Sequence, residues 1–296
     1  MLIAKTYVGK MNRFLKVAAA VAVGIALAGC SGFDVLNLVA ASTAAKATTG
    51  LSYGADPRQK LDVLVPESAR PGAALPVVLF FYGGSWTAGS RTDYRFVGNA
   101  LVKMGYVAVL ADYRLYPQVT FPAFQRDAAL ALKWTRENIA GYHGDASKIL
   151  VMGHSAGAHV AALLALDPSY ARAAGVPDGT IKGVIGLAGP YAMVPSQIDS
   201  VRAAFAGLPD ENVARPVTFV TAAAPPMLLL YGLADKTVGR ANATELAQLL
   251  RAKGRDVTLI EYPDVGHPGI VLAMAPLFKG RAAVLADTKA FLDRLK

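Results

Sequence analysis

Residues 148–166 read KILVMGHSAGAHVAALLAL. The run 149–152 is short and apolar, as a buried strand requires, and 156–166 is an Ala- and Leu-rich helix stopped by Asp167-Pro168. Between them stands Gly153-His154-Ser155-Ala156-Gly157. A strand that becomes a helix within three residues forces the middle residue into a strained backbone conformation. Glycine on either side removes Cβ clashes and lets strand and helix approach closely. Ser155 is therefore expected at the tip of the turn, its hydroxyl free ahead of the helix N-terminus, as in a nucleophile elbow. A tight turn with an ordinary N-capping serine spells the same five letters, so the flanking chain has to decide.

Working outward, apolar runs at 77–81, 107–110, 181–187, 227–231 and 257–262 read as strands, and 96–104, 124–139, 241–253 and 282–295 as helices. In KLDVLVP, Leu61, Val63 and Val65 alternate with other residues, which predicts an outer strand exposed on one face. Strand and helix alternate, so the expected class is α/β: a mostly parallel sheet with helices on both faces. Ligands of such sheets bind beyond the carboxyl ends of the strands. Residues 191–224 break the rhythm with Pro, Gly and Asp, and are too long for a plain connection. They are read as a small cap, with a surface excursion as the alternative.

With 54% hydrophobic and 17% charged residues, the 296-residue chain has ample material for a core. Residues 1–29 differ in character. Lys5, Lys10, Arg13 and Lys16 precede an apolar run at 17–28, suited to the core of a secretion signal and short for a bilayer span. The run ends Leu27-Ala28-Gly29-Cys30, which resembles a bacterial lipobox. That resemblance implies cleavage before Cys30 and lipidation of its thiol, on the only cysteine in the chain. Ser31, in place of Asp after the cysteine, points to the outer membrane of the envelope. Met11 is an alternative start.

Loss of the signal would leave +5 of the formal +9 charge. The remaining basic residues are scattered, which argues against nucleic acid as a partner. No metal or organic cofactor is expected. Residues 30–50 are read as the lipidated cysteine and a tether, and 51–296 as the catalytic domain.

A serine hydroxyl needs a base within hydrogen-bond reach and a third group to orient that base. Of four histidines, His143, His154 and His159 are read as structural, and His267, just past the last strand in YPDVGH, as the base. Asp235, four residues past its strand in LLLYGLAD, is the expected orienting acid, with Asp264 as rival. The chain order Ser, Asp, His is that of α/β-hydrolases. Charge developing on a carbonyl oxygen needs backbone N–H donors; Ala156, after the nucleophile, and Gly84 and Ser85, after the central strand, can supply them. Trp86 and Tyr191 are candidates for the pocket wall, with core packing as the alternative.

From about Tyr53 to Lys296 the chain resembles bacterial carboxylesterases of the α/β-hydrolase superfamily, near the hormone-sensitive-lipase-like and feruloyl-esterase-like groups. The matching text is YGADPRQKLDVLVP, FFYGGSW, ADYRLYPQVTFPAF, MGHSAGAHVAALLALD, GLAGPY, PPMLLLYGLADKTV and YPDVGH. The resemblance implies a Ser155, Asp235, His267 triad, an oxyanion hole from Gly84, Ser85 and Ala156, and a small-molecule ester substrate. Two departures stand out: many relatives carry His where Tyr82 stands and a third Gly where Ser85 stands. The hormone-sensitive-lipase group also has a longer N-terminal cap, so a more open cleft is implied here. An amidase, formamidase or peptidase would use the same residues, and a non-catalytic envelope binding module would keep the same fold.

Overall fold

The structure is a computed structural model that describes Asn37 and residues 45–275, 278, 280 and 282–295. The expectations for the signal segment, Cys30 and most of the tether lie outside the described residues. Strands β1 (Ala45–Ser52), β2 (Lys60–Pro66), β3 (Leu75–Phe81), β4 (Val107–Ala111), β5 (Gly144–His154), β6 (Ile181–Leu187), β7 (Met227–Gly232) and β8 (Val257–Tyr262) form one sheet. Its order is β1-β2-β4-β3-β5-β6-β7-β8. β1 and β2 run antiparallel to their neighbours, and every other pairing is parallel.

The helices are α1 (Arg95–Lys103), α2 (Ala123–Asn138), α3 (Ala156–Leu166), α4 (Pro168–Ala173), α5 (Ala241–Ala252), α6 (His267–Leu272) and α7 (Val284–Arg294). Val77 to Phe81 of β3 are fully buried, as expected of a central parallel strand covered on both faces. All of α3 but Ala165 is buried, and a helix that is apolar all round belongs inside. Pro168 cannot extend α3, and the Asp167 carboxylate accepts from Ser169 N at 3.0 Å, so one helix stops and α4 starts. Among the described residues no helix is long and apolar enough to cross a membrane.

Two expectations need correction. The sheet begins at Ala45, inside the stretch read as tether: AKATTGLS looks like a linker because it is small and polar, but it pairs with β2 as an exposed edge. β2 is also not half-exposed. Asp62 is buried because Arg91 Nε reaches its Oδ1 at 2.8 Å, Arg95 Nη2 its Oδ2 at 3.3 Å, and Gly50 N donates to Oδ1 at 2.8 Å.

β3 lies between β4 and β5, so the chain leaves β3 to one side and returns on the other. This is a topological switch point, where a crevice opens at the carboxyl ends of the strands. Phe81 is in register with Gly153, which sets the loop after β3 beside the turn after β5.

Candidate active site

Ser155 adopts φ 53° and ψ −123°, a left-handed conformation that costs a serine about 1–3 kcal/mol. The surroundings enforce it. A Cβ on Gly153 would lie 2.1 Å from Gly157 O, and one on Gly157 would lie 2.1 Å from Phe81 O and 2.4 Å from Tyr82 O. Only glycine lets β5, α3 and the end of β3 pack backbone to backbone. Ser155 N donates to Leu187 O at 2.8 Å, while Ala158 N and His159 N return to Ser155 O at 2.9 and 3.1 Å.

His267 Nε2 lies 2.8 Å from Ser155 Oγ, and its Nδ1 lies 2.7 Å from Asp235 Oδ2. The other carboxylate oxygen, Oδ1, accepts from Thr237 N and Val238 N at 2.7 and 2.9 Å, which fixes the plane of the group. Asp235's side chain is fully buried and that of His267 nearly so. The two loops are registered by their own backbones: Leu233 N donates to Tyr262 O, Ala234 N donates to Val265 O, and a Cβ on Gly232 would sit 2.1 Å from Val265 O. Asp264, the rival acid, is exposed. His143 lies at the far end of β5, where its carbonyl accepts from Leu75 N. His159 is fully buried, and burial pushes its pKa down to about 4; its Nε2 donates to Ala214 O at 2.6 Å.

After β3, Gly84, Ser85 and Trp86 all take positive φ, at 136°, 52° and 59°. A Cβ on Gly84 would lie 2.1 Å from Ala88 O, so this turn closes only on glycine. Among the described residues, the N–H groups of Gly84, Ser85 and Ala156 have no acceptor within the protein. Tyr82 is held by a clamp that the sequence alone does not disclose. Tyr82 stacks on Tyr113 with centroids 4.7 Å apart, and the Tyr113 hydroxyl donates to Tyr82 O at 2.8 Å. Arg58 donates to Tyr82 Oη at 2.9 Å, to Tyr113 O at 2.9 Å and to Gly89 O. The signal lay in the ADPRQ and ADYRLYP text, whose parts meet only in three dimensions.

Trp86 and Tyr191 are each 1% exposed and belong to packing, not to an open pocket wall. Trp86 meets Phe205 and His159 edge-on at 4.7 and 5.0 Å. Tyr191 presses on Gly186 and Gly189. Residues 191–224 form short helical turns at Pro195–Gln197, Asp199–Arg202, Ala203–Phe205, Glu211–Ala214 and Pro216–Phe219. Phe205 anchors them among Trp86, Phe121 and Phe124.

An alcohol, an imidazole and a carboxylate thus stand in one hydrogen-bonded line beside three unpaired amides. That arrangement can activate the hydroxyl as a nucleophile and receive negative charge on an adjoining oxygen. Among the described residues no cluster of three or more His, Cys, Asp or Glu side chains is placed to hold a metal ion.

The chain is similar to known esterases in sequence and fold. The BD-FAE family model matches residues 61–250. Esterase LipC of Mycobacterium tuberculosis is 33% identical over 237 residues, which is 73% of this chain and 58% of the relative. Esterase LipQ of the same organism is 32% identical over 238 residues, 74% of this chain and 56% of the relative. A probable isoprenylcysteine alpha-carbonyl methylesterase ICME of Oryza sativa subsp. japonica is 29% identical over 255 residues, 79% of this chain and 61% of the relative. The chain therefore spans about three-fifths of the length of these curated relatives. Among solved structures, the hyperthermophilic esterase of the archaeon Pyrobaculum calidifontis matches with a TM-score of 0.70 at 25% identity, covering 88% of this chain and 87% of that one. A truncated carbohydrate esterase from gut microbiota shares the fold with a TM-score of 0.72 at 19% identity, covering 84% of this chain and 96% of that one.

Proposed function

The chain belongs to the BD-FAE family and has the α/β-hydrolase fold, and from that premise we propose that it is a serine carboxylesterase. The observation that carries the reading is the unbroken line from Asp235 Oδ2 to His267 to Ser155 Oγ, with contacts of 2.7 and 2.8 Å. His267 takes the Ser155 proton as the oxygen attacks the ester carbonyl, and Asp235 holds Nδ1–H so that Nε2 faces the serine. The N–H groups of Gly84, Ser85 and Ala156 receive the oxyanion, each contributing about 3 kcal/mol to lowering the barrier. His267 then protonates the leaving alcohol. Water, activated by the same imidazole, attacks the acyl-enzyme, and the carboxylic acid departs as Ser155 regains its proton. Residues 191–224 form the cap over the substrate.

Purified protein assayed on p-nitrophenyl acetate and butyrate should lose about a thousandfold or more of its kcat on Ser155→Ala. Turnover that survives the substitution would overturn the reading. The lipobox at residues 27–30 supports a second element of the proposal, attachment to the bacterial cell envelope through lipidated Cys30. In whole cells, incorporation of a palmitate analogue should vanish in Cys30→Ala.

A further inference from the structure

His154, the residue before Ser155, is buried and takes no part in the triad, yet it touches both of the loops that surround Ser155. Its Nε2 lies 3.1 Å from the backbone carbonyl of His267, and its Nδ1 lies 3.3 Å from Tyr94 Oη. Tyr94 stands at the end of the loop after β3, which also carries Gly84 and Ser85, and caps the start of α1. We propose that His154 and Tyr94 are positioning residues for the base, forming a directed chain from Tyr94 Oη–H to His154 Nδ1 and from His154 Nε2–H to His267 O. The proposal rests on the reading of Ser155 and His267 as nucleophile and base.

The direction of the chain follows from what each group can do. A backbone carbonyl only accepts, so the ring nitrogen facing His267 O carries the proton. In a neutral imidazole the other nitrogen is then an acceptor, and the Tyr94 hydroxyl fills it. The His154 ring is neutral: burial, then the neighbouring His267 at 5.1 Å between centroids, pushes its pKa down to about 3. No second cation therefore competes with His267 when the latter takes up a proton.

The arrangement is close-fitting. A Cβ on Gly83 would lie 2.9 Å from His154 Nδ1 and 3.0 Å from Ser155 Cβ. The Tyr94 ring is independently fixed by Phe80 and Phe96, at 5.5 and 5.9 Å, so its hydroxyl can be removed with the packing left in place. Asp235 orients the His267 ring, but nothing about that bond fixes the backbone on which the ring is mounted. His267 opens α6 behind Gly266, a residue with no side chain to steady the turn. The backbone bonds of this loop lie at Tyr262, Val265 and Gly266, and the His154 contact adds an attachment at His267 itself. Through Tyr94 it also ties the base to the loop that carries the oxyanion donors, so both sides of the reacting carbon keep one spacing.

The test is steady-state turnover of p-nitrophenyl butyrate by the full-length protein. His154→Leu should lower kcat about 30-fold with KM within about twofold, the pattern of a misplaced base. His154→Gln places an N–H at similar reach and should recover most of that loss, to within about fivefold of the parent. Tyr94→Phe should cost about fivefold in kcat, and the double variant Tyr94→Phe/His154→Leu should be no slower than His154→Leu alone, because the hydroxyl acts through the imidazole. Full kcat in His154→Leu, failure of Gln to improve on Leu, or multiplying losses in the double variant would each overturn the proposal. Should His154→Leu fail to fold, Tyr94→Phe decides by the rate of Ser155 labelling with a fluorophosphonate: about fivefold slower supports the chain, and an unchanged rate overturns it. Loss of activity in Ser155→Ala alongside full activity in His154→Leu would defeat only this inference, whereas active Ser155→Ala would defeat the esterase reading itself.

Discussion

The turn around Ser155 and the insertion at 191–224 meet at His159, and they are held by opposite means. At the turn, backbone packs on backbone: Gly153 against Gly157, Gly157 against Phe81 and Tyr82, Gly83 against His154 O. In the insertion the anchor is a side chain, Phe205, which rests on three rings of the main domain. Its backbone is tied to the domain at scattered points, Phe121 N to Ala204 O, His159 Nε2 to Ala214 O and Ala192 N to Asn242 Oδ1. Backbone contacts hold position to fractions of an ångström and admit no extra atom. Side-chain contacts can repack. Ser155 thus sits on the intolerant part of the molecule, whereas the insertion is held by contacts that can repack.

The sharpest way to break that contrast is Gly157→Ala. One methyl group would stand 2.1 Å from Phe81 O and 2.4 Å from Tyr82 O, both backbone atoms of a central strand and its loop. α3 must then lift from β3 and carry Ser155 away from Gly84 and Ser85. The expected outcome is a loss of about 3 kcal/mol or more in denaturant unfolding. In the fraction that folds, kcat should fall about a hundredfold. A Gly157→Ala protein that unfolds and turns over like the parent would remove the basis for calling this region intolerant.

Phe205→Ala probes the other side. A buried Phe truncated to Ala commonly costs about 3–5 kcal/mol. Here the loss should fall at or below that range, because the insertion can open without the sheet. Hydrogen exchange should speed up across 199–219 while β3 and β5 stay protected. KM should rise about tenfold with kcat within about threefold, as when binding contacts shared by ground and transition state are removed. Equal loss of protection in β5 would mean that the two regions are one cooperative unit.

The same contrast explains what the amino-acid sequence disclosed. The elbow, the strand ends and the candidates Ser155, Asp235 and His267 are written locally, as glycine spacing, apolar runs and a loop after each run. The Arg58, Tyr82 and Tyr113 clamp was not legible, because its hydrogen bonds join residues 24, 31 and 55 positions apart. Alternation misled at β2, since Asp62 looks solvent-facing until Arg91 and Arg95 arrive from another segment. AKATTGLS looks like a linker because an edge strand needs little beyond a backbone ladder. The insertion announced itself by breaking the strand-helix rhythm, but its internal turns depend on where Phe205 lands, and no local pattern encodes that. Trp86 reads as a pocket aromatic because it follows Gly84 and Ser85, and is buried because Phe205 covers it.

The smallest expected effect is one of pH, and it bears on the same seam. His159 is fully buried and its pKa is depressed from 6.5 to about 4 by burial, while its Nε2 donates to Ala214 O. The unfolded chain therefore binds a proton more readily than the folded one between these values. Stability from this group is complete above about pH 6.5 and is lost as pH falls toward about 4, with a limiting slope of about 1.4 kcal/mol per pH unit. At pH 5.5 the loss is about 1 kcal/mol. His154, depressed to about 3 in the same sense, adds a similar loss at that pH. Because the bond that His159 makes is the one joining α3 to the insertion, acid should loosen the insertion before the elbow. Protection factors across 199–219, corrected for the intrinsic pH dependence of exchange, should fall between pH 6.5 and 5, and substitution of His159 by Gln should remove that fall while the His154 share of the acid slope persists. Acid loosening that begins in β5, or that survives His159→Gln undiminished, would place the weak seam elsewhere.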